Sequence, residues 1–215
     1  MRVPGRSVRT GCGSLDVTTA PGTGWTFDAR NTAGRSPVVS PSGRSLAIEA
    51  AGHDGEHVFD AGRDAWNLAL PTSELKRLTV AAFAGDARVD LSGARIDRLA
   101  LTVNASDVVV DTTTASITEL SGIVNVGQLS VRLPAASDLS GSIRVGAGDV
   151  RICAPPGLGL RIRADGTAEQ LQVQGVRQTS SVWQNPGYVS ATHRAELTVT
   201  THFGVIEIDP IGGCS

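Results

Sequence analysis

Aromatic residues are scarce in this chain, with three Trp, one Tyr and four Phe among 215 residues. A glycosidase cleft stacks sugars on such rings, so the composition weighs against a carbohydrate-processing groove. An excess of one charge is also missing. The 19 basic residues are dispersed and nearly balanced by 21 acidic ones, for a net charge of -2, which leaves no electrostatic footprint for nucleic acid. No run approaches the roughly 18 apolar residues of a membrane-spanning helix. The first residues, MRVPGRSVRTGCGSLDV, have no hydrophobic core of a signal peptide, so the chain carries no targeting signal of that kind. Cysteine occurs only as Cys12, Cys153 and Cys214, with no C-x-x-C pair, which removes the specific signature of a redox or zinc site. G-x-S-x-G is absent, and no helix follows Gly146-Ala147-Gly148 to make a phosphate site. No cofactor and no catalytic constellation is expected.

What the chain does have is a period of 21 residues. Ala87–Asp107 reads ARVDLSGARIDRLALTVNASD, Val108–Gln128 reads VVVDTTTASITELSGIVNVGQ, and Leu129–Asp149 reads LSVRLPAASDLSGSIRVGAGD. The register extends back through Trp66–Asp86 and forward through Val150–Gln170 without a gap. A period of this length marks a solenoid. Residues one period apart should then stack at the inter-strand spacing of roughly 4.8 Å.

The columns identify the inner face. Val89, Val110, Val131 and Ile152 form one, with Leu68 before them. Leu70, Leu91 and Leu133 form a second, interrupted by Thr112 and Ala154, and Leu75, Ile96 and Ile117 a third. Leu78, Leu99 and Leu120, then Val103, Val124 and Val145, complete an aliphatic interior with strand alternation. Gly85, Ser106, Gly127 and Gly148 share a corner column, and Asn104 lies one turn before Asn125, all residue types suited to tight turns. Thr72–Ala84 (TSELKRLTVAAFA) has the local look of a capped helix, but the long-range register overrules it. The predicted fold is all-β: a right-handed single-stranded parallel β-helix, or β-solenoid, with coils of about 21 residues.

The ends depart from the period, as solenoid caps do. Residues 1–65 form the expected N-terminal β cap, 66–170 a five-coil core, and 171–215 a C-terminal loop with cap strands, all within one domain. Gly13-Ser14-Leu15-Asp16-Val17 repeats the corner-then-strand pattern of Gly127–Val131. Strands are expected around Trp25–Ala29, Leu46–Glu49 and His57–Asp60, and again at Ala195–Thr200 and Val205–Asp209. Between Val176 and Arg194 lies a long loop centred on Trp183, Pro186, Gly187 and Tyr188. It either packs on the solenoid flank or serves as an interaction loop.

Several groups invite a chemical reading. Ile206 and Ile208 repeat the Val150 and Ile152 pattern, so the tail can fold back to join Cys214 to Cys153; the alternative is two free thiols, with Cys12 unpaired either way. His53-Asp54-Gly55-Glu56-His57 holds four potential metal ligands, but polar residues are ordinary in a cap loop. The column Asp86, Asp107, Gln128 and Asp149 suits backbone capping better than calcium. Asp90 and Asp111, with Arg88 and Arg132, would need a cleft to act as a glycosidase pair, and the strict period leaves no room for inserted loops. Asn104-Ala105-Ser106 matches a glycosylation acceptor.

Trp183, Pro186-Gly187-Tyr188, the closing Gly204–Pro210 and Gly212-Gly213-Cys214, together with the interior phrases Asn125–Leu129 and Val150–Pro155, resemble the bacterial toast-rack, or putative-adhesin, domain family. The resemblance includes the C-terminal β-domain of LiaF-like antibiotic-response proteins and the domain associated with PspC-type envelope-stress proteins. It implies a non-enzymatic, extracytoplasmic β-solenoid of a bacterial envelope protein, with an adhesin-like, stress-sensing or scaffolding role and a protein or cell-wall partner. Relatives are tethered to membrane helices. This chain has none in front of it, which implies a fragment or a start assigned late. The alternatives are a carbohydrate-binding or carbohydrate-active β-helix, and a structural solenoid that associates end to end through its caps.

Overall fold

The period builds four long strands: β6 (Leu75–Asp90), β7 (Arg95–Asp111), β8 (Ser116–Arg132) and β9 (Leu139–Cys153). The computed structural model describes residues 5–42, 45–50, 63–73, 75–165, 171–178, 180–209, 211 and 213–214. All regular structure in them is strand, including the segment from Leu75 that locally reads as helix. Each long strand pairs in parallel with the next, and residues 21 apart face each other: Leu78, Leu99 and Leu120, then Val89, Val110, Val131 and Ile152. Their side chains are sealed from solvent, with Val110 and Ile152 both at 0% exposure. The arrangement is compatible with a β-solenoid. Thr112, the polar intruder in a leucine column, is tolerated because its hydroxyl donates to the Arg132 carbonyl at 2.6 Å.

Inward positions in β7 run through Leu99, Leu101 and Val103, then resume at Val108 and Val110. The alternation slips by one residue between Val103 and Val108, where the chain turns its corner. Gly127 shows why that corner needs glycine. Its φ is +111°, and a Cβ there would stand 2.1 Å from the Ser106 carbonyl oxygen in the layer beneath. Ser106 is the exception in the column. In its layer the left-handed residue is Ala105 instead (φ 51°), and the register shifts on either side of Asn104 to accommodate it.

At both ends the stacking order differs from the sequence order. β1 (Arg6–Ala20) pairs along its length with β6, placing Gly13 opposite Gly85 and Val17 opposite Val89. Its other edge carries β4 (Ser45–Glu49) and β5 (Asp64–Pro71), with Val17 opposite Leu68. The predicted stacking of Leu68 directly on Val89 is therefore corrected, because Val17 lies between them. The other end repeats the device. β14 (Arg194–Phe203) and β15 (Ile206–Ile208) lie between β9 and a last layer made of β10 (Gly159–Asp165) and β11 (Leu171–Val173). Ala195 separates Leu139 from Leu160, and Ile206 separates Val150 from Leu171. Residues 66–170 are thus not five consecutive layers. The period reports which residues occupy equivalent places in their layers, and strands of the same in-and-out phase, β1 at one end and β14 with β15 at the other, lie between two such layers.

Antiparallel strands cover the outermost layers: β2 (Thr26–Asn31) on β5, β3 (Val38–Ser42) on β4, β12 (Val176–Arg177) on β11 and β13 (Val182–Gln184) on β10. Phe27 on β2 meets Trp66 edge-on at 5.4 Å, closing the core at that end. His57–Asp60, expected as a strand, lies outside the described residues.

Candidate functional site

The Trp183 loop is held down by its own polar groups. Asn185 donates from Nδ2 to the Leu158 carbonyl at 2.8 Å, accepts from the Leu160 N–H at 3.2 Å, and donates its own N–H to the Leu160 carbonyl at 3.0 Å. Trp183, on β13 opposite Ile162, is partly buried against the core. Tyr188 is buried. Its hydroxyl donates to the Glu196 carboxylate, and the Arg161 guanidinium lies over its ring at 4.1 Å. Arg161 also pairs with Glu196 at 3.5 Å, while Arg194 donates to the Tyr188 and Val189 carbonyls at 3.0 and 2.9 Å. The hydrogen bond to Glu196, then burial, then the charge of Glu196 raise the Tyr188 phenol above its ordinary pKa, outweighing Arg161 and Arg194.

Of the three residues expected to form an interaction loop, Pro186 is exposed while Trp183 and Tyr188 face the protein. Val189 beside them is 75% exposed. The partners Arg161, Arg194 and Glu196 were not singled out in the sequence, where they are ordinary outward charges.

Cys153 and Cys214 are joined in a disulfide with a Cα–Cα distance of 6.0 Å. β15 delivers Cys214 by pairing Ile208 with Ile152, and Asp209 completes the docking: its N–H donates to the Ile152 carbonyl and its carboxylate accepts from the Ala154 N–H. Cys12 is a free, partly buried thiol.

The outward carboxylates serve the fold. Asp90 accepts from the Ser92 N–H at 2.9 Å and from its hydroxyl, and Asp111 does the same for Thr113 while binding Arg132 at 3.0 Å. Asp90 and Asp111 are neighbours across β6 and β7, but each caps its own turn. Burial pushes the Asp111 carboxyl up, yet the hydrogen bonds from Thr113 and Arg132 and the charge of Arg132 prevail and hold it below its ordinary pKa. Arg88 is exposed between Asp16 and Val109, in a different row of the face.

In the corner column, Asp149 accepts from the Val205 N–H and Gln128 donates to the Ser130 hydroxyl, while Asp86 and Asp107 are exposed. Asn125 donates from Nδ2 to the Asn104 side-chain oxygen across the layers. The cluster His53–His57 lies outside the described residues. Among those described, no group of three or more His, Cys, Asp or Glu is placed to hold a metal, and no helix is long and apolar enough to cross a membrane.

One surface feature is assembled only by the stacking of layers. Val126 (53% exposed), Ala147 and Phe203 (75% exposed) lie side by side in adjacent layers, an apolar ridge along one corner. Val126 and Ala147 are one period apart and visible as a column, but Phe203 enters only through the interposed strand β14.

No protein-family model matches the sequence, and no curated protein does. The fold is similar to that of a solved structure, a putative cell adhesion protein from Clostridium sporogenes. The TM-score is 0.55 at 15% sequence identity, over 95% of this chain and 92% of that one. At that identity the likeness is one of fold.

Proposed function

We propose that this chain is a non-enzymatic, extracytoplasmic domain of a bacterial envelope protein, working by contact with a protein or the cell wall. In this reading it is a right-handed β-helix with coils of about 21 residues, of the toast-rack kind found in LiaF-like and PspC-associated proteins. The observation that carries the reading is the fold likeness to a putative cell adhesion protein over nearly the whole length of both chains. Two features add support. A Cys153–Cys214 disulfide belongs in an oxidising compartment. Asp90 and Asp111, the best-placed acids for chemistry, are occupied in turn capping and an ion pair, leaving outward faces suited to display. An adhesin-like or envelope-stress sensing role is the corresponding activity.

The test is made in the bacterium that encodes the chain. Intact cells are treated with a membrane-impermeant amine label and an outside-acting protease, and thiols are trapped with alkylating agent under acid quench. The reading expects labelling before lysis and a recovered Cys153–Cys214 peptide. A chain protected until lysis, with both cysteines alkylated, refutes it.

A further inference from the structure

The last described strands, β14 and β15, occupy the next-to-last place in the stack. Among the described residues, backbone pairing reaches the β10–β11 layer from β9 only through β14 and β15. Until residues 194–208 are in place, β9 therefore presents an open parallel edge, lined inward by Leu139, Ile143, Val145, Val150 and Ile152. Such an edge is a template for any strand of matching phase.

Three further observations concern how firmly 194–208 belongs there. The 21-residue period makes Leu160 the register equivalent of Leu139, and Leu171 that of Val150, so the slot separates two edges that share one phase. Ala195, Leu197, Val199, Ile206 and Ile208 fill the slot inward, but the buried Thr201 hydroxyl beside them has no hydrogen-bond partner. Finally, residues 185–193 are coiled into a turn closed by Tyr188 N–H to the Asn185 carbonyl and Ala191 N–H to the Gly187 carbonyl. Opened out at about 3.4 Å per residue, that segment spans about 30 Å, enough to reach a molecule abutting the cap.

We propose that residues 194–208 are an exchangeable strand, and that the slot between β9 and the β10–β11 layer takes the same strand from a second copy of this chain. Every contact of the closed monomer is reproduced in the exchanged dimer except those of the 185–193 turn. Cys214 travels with the strand. In the monomer it meets the Cys153 of its own chain, and in the exchanged dimer that of the second copy, so the disulfide records which strand filled the slot.

The experiment mixes equal amounts of ordinary and 15N-labelled full-length protein, unfolded and reduced, and refolds the mixture at low and at high concentration with glutathione disulfide. Each protein disulfide forms by thiol exchange, the glutathione disulfide taking the two electrons and leaving as two molecules of reduced glutathione. Dilute refolding should give monomer whose Cys153–Cys214 peptides carry one label. Concentrated refolding should add a dimer with the circular dichroism of the monomer, containing mixed-label Cys153–Cys214 peptides and separating on reduction and unfolding. Two differently tagged copies expressed together and secreted into an oxidising compartment give the same reading without refolding: one tag captures the other, through Cys153–Cys214. Monomer at every concentration, or a dimer linked through Cys12 or lacking the mixed-label peptide, overturns the proposal.

Discussion

Replacing Gly127 with alanine isolates the contact on which the stacked corners depend, and Gly157 provides the control. Both glycines have positive φ, +111° and +86°. A Cβ on Gly157 meets nothing within 4 Å, so Gly157→Ala should cost only the left-handed conformation, about 1–2 kcal/mol. A Cβ on Gly127 meets the Ser106 carbonyl oxygen at 2.1 Å and its nitrogen at 2.9 Å. Relieving that overlap means lifting one corner off the next by about 1 Å, which loosens the ladder bonds on both sides; each is worth about 0.5–1.5 kcal/mol, more if a buried group is left unpaired. Gly127→Ala should therefore lose about 4 kcal/mol or more, and at about 2–4 °C per kcal/mol for a chain of this size its melting temperature should fall by roughly 10 °C. Urea unfolding of both variants, fitted with a common slope, gives the comparison. Equal losses in the two would show that the corners are not in contact and would refute the stacking argument.

The inward column predicts that Val110→Asp costs about 4 kcal/mol or more, because an unpaired carboxylate enters a dry interior, whereas Val109→Asp, beside the exposed Arg88, should stay within about 0.5 kcal/mol. Urea midpoints measure both, and similar losses would reject the assigned faces. Asp111 has a folded pKa below its unfolded one, so its contribution is complete above about pH 4 and is lost as pH falls toward the folded value. Asp111→Asn should lower stability at neutral pH and flatten the acid limb of melting temperature against pH; an unchanged limb would contradict the assigned hydrogen bonds. Trp183→Ala should destabilise the cap by about 2–3 kcal/mol through lost burial. If its thermal melting were unchanged while a partner contact disappeared, Trp183 would be a binding residue instead.

The coil interior was legible because its information is local to each turn. Val89, Val110, Val131 and Ile152 repeat, the glycine corner repeats, and backbone ladders force residues so spaced to lie opposite one another. Gly13–Val17 was legible for the same reason, since it carries the corner glycine and the inward Leu15 and Val17 at coil spacing. Stacking order was not legible. Nothing in Leu68 or Leu171 distinguishes a layer touching its register neighbour from one separated by a foreign strand, because Val17 and Ile206 present the same face at the same height. The loop was half legible: Trp183 and Tyr188 stand out as rare aromatics, but the groups that seat Tyr188, Arg161 and Glu196, become neighbours only because β14 pairs with β10.

Interposing β1 at one end of the stack, and β14 with β15 at the other, changes which edges the stack exposes. A stack assembled in chain order would leave β1 and β15 outermost, each with an edge of unpaired N–H and C=O groups. Here β1, β14 and β15 have partners on both sides, and the outermost layers are covered by short antiparallel strands, β2 and β3 at one end, β12 and β13 at the other. This closure depends on pairing between segments distant in sequence: β1 meets β5 and β6, and β14 meets β9 and β10. Such contacts form slowly because their loops must close first. The cost falls unequally on the two ends. During synthesis β1 is available before β5 and β6, whereas 194–208 emerges after its partners β9, β10 and β11. The slot between β9 and the β10–β11 layer therefore stays open until 194–208 arrives, and what fills it decides whether the molecule closes on itself.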